Sequence, residues 1–332
     1  MKDPFRHGLS QATQWYSILQ VEVEKQVDGI IQQSRLLVKP TFEESVDPSP
    51  TASSPALQQE SLSRGSCAEI LVQHCPACFG GTLFGQPLDK GGDIHVATDG
   101  NFHHWHRCSA GDCPPFYEPT YFIPKPQVDA IGRRIVCARQ HPSKSSQPVV
   151  PDEAIDQCEA SYEAADGQKQ KAAMDNFDNT GIMALICCHD IPLFFANIDT
   201  PSEQQKYSLA LISHLFSLLP CQANVVVLYD VGCVLARSLS RVRCPLAFFC
   251  PSLNCSQFNI LDQNITSCLR FATTAMHAYG HEWSCQLIYN PHLASGLGLS
   301  DGEGTERLWS RLIRLIGIER VSSVSSYYHA EI

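Results

Sequence analysis

Asp99 and Asp230 each close an apolar run, DIHVATDGN at 93–101 and NVVVLYD at 224–230. A carboxylate at the carboxyl end of a buried strand emerges at the edge where α/β sheets usually bind ligands. Two such groups converging could hold two Mg2+ (or Mn2+) ions about 3.5–4 Å apart, activating water or a 3′-hydroxyl and stabilising the leaving oxygen. Taken singly, each Asp is also an ordinary strand-ending turn residue. A third acid is available in SDGEGTERLWS, residues 300–310. Ser300 to Glu303 fits a capping box, in which Glu303 returns a hydrogen bond to the helix start. Glu306 lies three residues on, nearly one turn along the same face, with no capping role. Glu306 therefore ranks above Glu303 as the third metal ligand.

A softer chemistry is written in the cysteines and histidines. Cys75-Pro76-Ala77-Cys78 is a CxxC pair that supplies half of a tetrahedral zinc site. Its partners could be Cys187 and His189, the His277, His281 and Cys285 group, or Cys108 and Cys113. His277, His281 and Cys285 recur every four residues and are expected to share one helix face as possible Zn2+ ligands. The HAYGH run lacks the general-base Glu of HExxH, so a zinc-protease reading fails. His103, His104 and His106 follow Asp99 closely and could approach substrate phosphate, although His clusters on loops are more often solvated. The Gly-rich stretch 80–92 contains no GxxxxGK[ST], so nucleotide hydrolysis is unsupported.

The elements that must position these residues follow from periodicity. Of 332 residues, 16 are Cys and the formal net charge is −10. That acidity argues against a dedicated nucleic-acid grip, although a nuclease core gathers cations with its own carboxylates. No apolar run reaches the ~18 residues of a membrane span, and the start MKDPFRHG has no signal-peptide core, so reduced thiols or zinc ligands are expected. Trp15, Ile18, Leu19, Val23, Val27, Ile30 and Ile31 predict an amphipathic helix within 1–39, read as a packing helix. A Pro/Ser-rich linker is expected at 40–66 and a compact core at 67–317.

Within the core, 94–98 predicts a strand with Asp99-Gly100 as its exit turn. An insertion of about 103–178 follows, with helices near 128–140 and 152–165. Met183–Ile198 predicts a hairpin with Asp190 near its turn. A helix over 202–219 is expected to start on a Ser202 cap, and Asn224–Tyr229 is a fully buried strand. Strand, insertion, hairpin, helix, strand and Glu-bearing helix give an α/β fold: a ribonuclease-H-like mixed sheet with flanking helices and a helical insertion after the first strand.

The runs CPACFGG, GGDIHVATDGNFHH, SAGDCPPFY, DIPLFFANIDTPSEQQKY, VVVLYDVGC, MHAYGHEWSCQLIYNP and GLGLSDGEGTERLWSRL resemble the fungal Kyakuja-Dileera-Zisupton (KDZ) transposases over roughly Cys67 to Gly317. The resemblance implies a DDE-type DNA transposase, in which two Asp and one Glu bind Mg2+ for cutting DNA and joining strands. Carried over by motif, these are Asp99, Asp230 and, by likeness of ERLWS to the ERxFS stretch of hAT transposases, Glu306. It further implies DNA partners (transposon ends and target), a nuclear site of action and a homo-oligomer, with no membrane association.

Three departures stand beside it. The chain begins too late for the N-terminal cysteine-cluster module of such proteins. Residues 236–262 are rich in Cys and Phe where a short acidic connection is expected, and read as an insertion or retained intron. The tail at 318–332 lacks a basic continuation. Together they suggest a truncated or decayed copy, and the competing reading is an inactive, zinc-stabilised DNA- or chromatin-binding remnant.

Overall fold

In a computed structural model, the protein is described at residues 4–43, 62–110, 112–113, 121–140, 149–165, 176–200, 204–240, 259–319 and 324–325. Five apolar segments pair into one sheet: Ile94–Asn101 (β1), Gly181–Cys187 (β2), Pro192–Ile198 (β3), Val225–Leu228 (β4) and Leu269–Ala272 (β5). Their spatial order is β5-β4-β1-β2-β3. β1 pairs antiparallel with β2 and β2 antiparallel with β3, while β4 is parallel to β1 and β5 parallel to β4.

The helices are Pro4–Glu43 (α1), Glu69–His74 (α2), Lys125–Gln140 (α3), Asp152–Ala165 (α4), Gln205–Ser217 (α5), Gly232–Ser240 (α6), Ala275–Ala278 (α7), Trp283–Tyr289 (α8) and Gly304–Leu312 (α9). A parallel neighbour requires a crossover. Accordingly α5 connects β3 to β4, and α6 lies on the route from β4 to β5.

The sheet is covered on both faces, which is why all seven residues of β2 are buried. Alternation assigns Ile94, Val96, Met183, Leu185, Val225 and Val227 to the larger core, which also contains Tyr207, Leu211 and Leu215 of α5. Burying each such Leu side chain contributes ~1.5–3 kcal/mol. Val128, Ile131 and Ile135 of α3 join this core, and α3 packs on α5 and β3. The opposite face presents Ala97, Ala184, Ile186, Val226 and Leu228 to Leu308 and Trp309 of α9. In α9, Thr305, Leu308 and Trp309 are buried while Glu306, Arg307 and Ser310 are exposed, the spacing of a one-sided helix.

Several local readings change. β1 does not end at Thr98: it pairs with β2 through Asn101, so Asp99 is a strand residue opposite Ala184. The hairpin is present, with Asp190 in its turn at φ 61°. The side-chain carboxylate of Asp190 accepts from Arg307 Nε at 2.6 Å and Nη2 at 2.8 Å, which ties the turn to α9. Residues 277–285 do not form one helix, because α7 stops at Ala278 and α8 starts at Trp283. The capping-box geometry at Ser300 is absent: α9 starts at Gly304, and the Glu303 carboxylate reaches another segment. Helix α5 starts at Gln205; Ser202, most of the linker and residues 241–258 lie outside the described residues.

The segment before α9 approaches the start of β1 backbone to backbone. Gly296 has φ +83°, and a Cβ there would lie 2.1 Å from the Lys90 carbonyl carbon and 2.2 Å from Gly91 N. Overpacking costs ~1–3 kcal/mol and an L-residue in the left-handed region a further ~1–2 kcal/mol. Gly296→Ala is therefore expected to lower the urea midpoint by the equivalent of ~2–5 kcal/mol at unchanged slope. A midpoint equal to wild type would show that the two segments can part at no cost.

Candidate functional site

Strand register brings Asp99 and Asp230 together. On the adjacent parallel strands β1 and β4, Ala97 pairs with Leu228. Asp99 follows two residues on along β1, on the face of Ala97, whereas Asp230 stands just past the end of β4 in the turn that leads into α6, so both lie at the same end of neighbouring parallel strands. The face of Ala97 is the one α9 covers.

Each aspartate is held by a neutral donor or a cation. Trp309 Nε1–H donates to Asp99 Oδ2 at 3.0 Å. The Thr274 hydroxyl donates to Asp230 Oδ1 at 2.6 Å. His277 Nδ1 lies 3.1 Å from the same Oδ1 and 3.0 Å from Thr274 Oγ1, so a protonated ring donates to both. The hydrogen bond to Asp230 holds the His277 pKa up at about 9, with the negative charges of Asp230, Glu303 and Asp99 adding to it. Three carboxylates thus surround one imidazolium, an excess of negative charge suited to a hard cation with oxygen ligands.

The two glutamates occupy different places. Glu303 is only 8 % exposed, and its Oε1 accepts from Met276 N–H at 2.8 Å, joining the start of α9 to α7 beside His277. Glu306 is exposed. Three residues on a helix turn 300°, so Glu306 sits about 60° round the helix from Trp309, while of the two glutamates it is Glu303 whose charge acts on His277. Gly304 and Arg307 lie on the flank away from Trp309, against Asp190.

The cysteines and histidines form two clusters that could bind zinc. Cys75, Cys78, Cys187 and His189 make one; Cys158, Cys233, His281 and Cys285 make the other, and in each the ligand atoms lie within 4.8 Å of one another. Ideal tetrahedral Zn2+ with bonds of about 2.3 Å to sulfur and 2.0–2.1 Å to nitrogen has S···S edges of about 3.8 Å and S···N edges of about 3.6 Å. In the first cluster, His189 Nδ1 is 3.6 Å from Cys75 Sγ and 3.2 Å from Cys78 Sγ. In the second, Cys158 and Cys285 are 3.8 Å apart and Cys233 Sγ is 3.5 Å from His281 Nδ1.

Thiol hydrogen bonding polarises both groups. The Cys187 thiol is brought down to about 5, chiefly by Cys78, and Cys285 to about 5, chiefly by Cys233; their partners Cys78 and Cys233 are pushed up. Cys188, held near 7, borders the first cluster with its Sγ 3.8 Å from Cys78.

His277 does not join the zinc group expected from the i, i+4 spacing. The break at Tyr279–Glu282 turns His277 toward Asp230 while His281 and Cys285 face Cys158 and Cys233. Of the alternatives for the CxxC pair, Cys187 and His189 are the residues that meet it, and Cys108 is exposed elsewhere. The sequence reading missed Trp309, Thr274, Cys158 and Cys233. Cys233, three residues after Asp230 in YDVGC, carried a usable signal; Cys158, on a helix in the insertion, had none.

No curated protein and no solved structure matches the chain. A family model does: residues 93–330 match the Kyakuja-Dileera-Zisupton transposases, a span that includes both aspartates, both glutamates and the whole second cluster. The chain belongs to the KDZ transposase family.

Proposed function

We propose that this chain is the catalytic core of a DNA transposase, with a ribonuclease-H-like fold and Asp99, Asp230 and Glu306 as ligands of Mg2+ (or Mn2+). The observation that carries the reading is the parallel pairing of Ala97 with Leu228, which supports bringing strand-borne Asp99 and Asp230, in the turn just past β4, to one end of the sheet. The strand order, three antiparallel strands with two parallel ones added beside the first, supports the fold assignment.

Bound at these carboxylates, divalent metal would supply Lewis acidity and stabilise the attacking and leaving oxygens of an in-line displacement. The chain's own residues do the positioning. Trp309 fixes the rotamer of Asp99, Thr274 and His277 fix that of Asp230, and Glu303 anchors the loop bearing His277. In the cleavage step an oxygen of water bonds to phosphorus as the P–O3′ bond breaks, releasing a 3′-hydroxyl. That hydroxyl then attacks a phosphodiester of target DNA, exchanging one P–O bond for another without a covalent protein intermediate.

DNA is the partner, and the nucleus the place of action. Exposed Arg311 and Arg314, on α9 and its continuation, offer phosphate contacts despite the acidic total. Zinc in the Cys75, Cys78, Cys187 and His189 cluster is structural in this scheme, fixing α2 to the hairpin turn.

The test is Mg2+- or Mn2+-dependent nicking of DNA by purified protein. Wild type is expected to nick and Asp230→Ala to be silent. Equal nicking by both would sink the mechanism, and silence from both would favour an inactive zinc-stabilised remnant.

A further inference from the structure

We propose that Cys158, Cys233, His281 and Cys285 form a second, separate zinc site, whose task is to lock the inserted helix α4 to the chain immediately following Asp230. The proposal goes beyond the nuclease reading and would stand if that reading failed.

The four ligands come from three segments far apart in sequence: Cys158 from α4, Cys233 from α6, and His281 and Cys285 from the α7–α8 turn and α8. Three are fully or nearly fully buried, at 5 % for Cys158 and 0 % for Cys233 and Cys285. Buried free thiols behave as small hydrophobes and need no polar partner. These sulfurs instead converge on a ring nitrogen, with separations of 3.8 Å and 3.5 Å that match the edges of a tetrahedral thiolate–imidazole site.

The backbone is arranged around sulfur as well. Glu282 N–H donates to Cys158 Sγ at 3.4 Å, and Gln286 Nε2 donates to His281 O at 2.8 Å, holding the ligand-bearing turn in place. Such outer bonds orient metal ligands and stabilise their ligating form.

Position gives the site its consequence. Asp230 and Cys233 are separated by Val231 and Gly232, and a Cβ on Gly232 would lie 2.5 Å from Ala272 O, so this connection is pressed against β5. Arg237, on the same helix as Cys233, is buried and pairs with Asp156 and Glu159 of α4. The inserted helix is thus held at two points on α6, one ionic and one by the cluster. Loss of the metal would leave the apolar packing of Ile155 and the ionic tie, whose carboxylates are largely exposed to water.

The experiment is zinc content of the purified full chain by mass spectrometry, with Co2+ substitution as an optical probe. Wild type is expected to carry about two equivalents, Cys158→Ser and Cys285→Ser about one, Cys78→Ser about one, and the Cys78→Ser/Cys158→Ser pair none. Cys137→Ser, at an exposed thiol outside both clusters, keeps both ions. Should the serine variants fail to fold, Cys158→His provides the second reading: it retains an imidazole donor, so Co2+ still binds but its ligand-field bands move to shorter wavelength. One equivalent in wild type that is lost with Cys78→Ser, or Co2+ bands unmoved by Cys158→His, would overturn the proposal.

Discussion

Glu306→Gln is expected to slow Mg2+-dependent DNA cleavage by on the order of 10³-fold, the equivalent of several kcal/mol of charge stabilisation by metal. Its thermal midpoint should stay at the wild-type value, because Glu306 is exposed and surface substitutions usually change stability by no more than ~0.5 kcal/mol. Glu303→Gln is expected to cost far less activity. The side chain is buried against Met276 N–H, and a glutamine carbonyl oxygen can still accept that bond, so cleavage falls by less than about tenfold through altered placement of His277. The asymmetry follows from helix rotation: Glu306 shares the flank of Trp309, whose indole holds Asp99, while Glu303 lies before the first helical turn. Single-turnover cleavage by the two variants, with Mn2+ affinity measured alongside, separates the roles. A large loss confined to Glu303→Gln would transfer the third ligand to that residue.

How far this site could be read from sequence depended on which interactions were local. Continuous β-branched character around Val225–Leu228 and the apolar run ending near Asp99 made the strands and their acidic ends legible. The pairing that brings the two aspartates to one end of the sheet joins Ala97 with Leu228, far apart in sequence, and register is written jointly by hydrophobic pattern and connection, not by either strand alone. The glutamates show the opposite failure. A local rule, the capping box, explained Glu303 too readily; its carboxylate is engaged across a chain separation that no local motif encodes. The spacing of His277, His281 and Cys285 is that of one helix, yet Gly280 and the adjoining turn send His277 and His281 to different chemistries. CxxC, by contrast, announced its half site, and only the identity of its partners required three dimensions.

Cys78→Ser is expected to lower stability on the scale of Gly296→Ala, and the reason lies in what the first cluster joins. The α2 segment contributes Leu71, Cys75 and Phe79 to the core, yet its link to the sheet passes through the turn between β2 and β3, where Cys187 and His189 stand. Cys78 Sγ is 3.2 Å from His189 Nδ1, so its removal opens the cluster at its closest contact. The Ser substitution itself is mild at this half-buried position; the loss is that of a bound ion. A ligand present at about a thousand times its dissociation constant contributes ~4 kcal/mol. For a chain of 332 residues that corresponds to a midpoint lowered by about 6 °C. The control is chelation. Excess EDTA should bring the wild-type midpoint down at least to that of Cys78→Ser, while lowering the variant further only by what the second cluster contributes. Unchanged melting of Cys78→Ser, or wild type indifferent to EDTA while losing its metal, would mean that these thiols pack without holding an ion that matters to the fold.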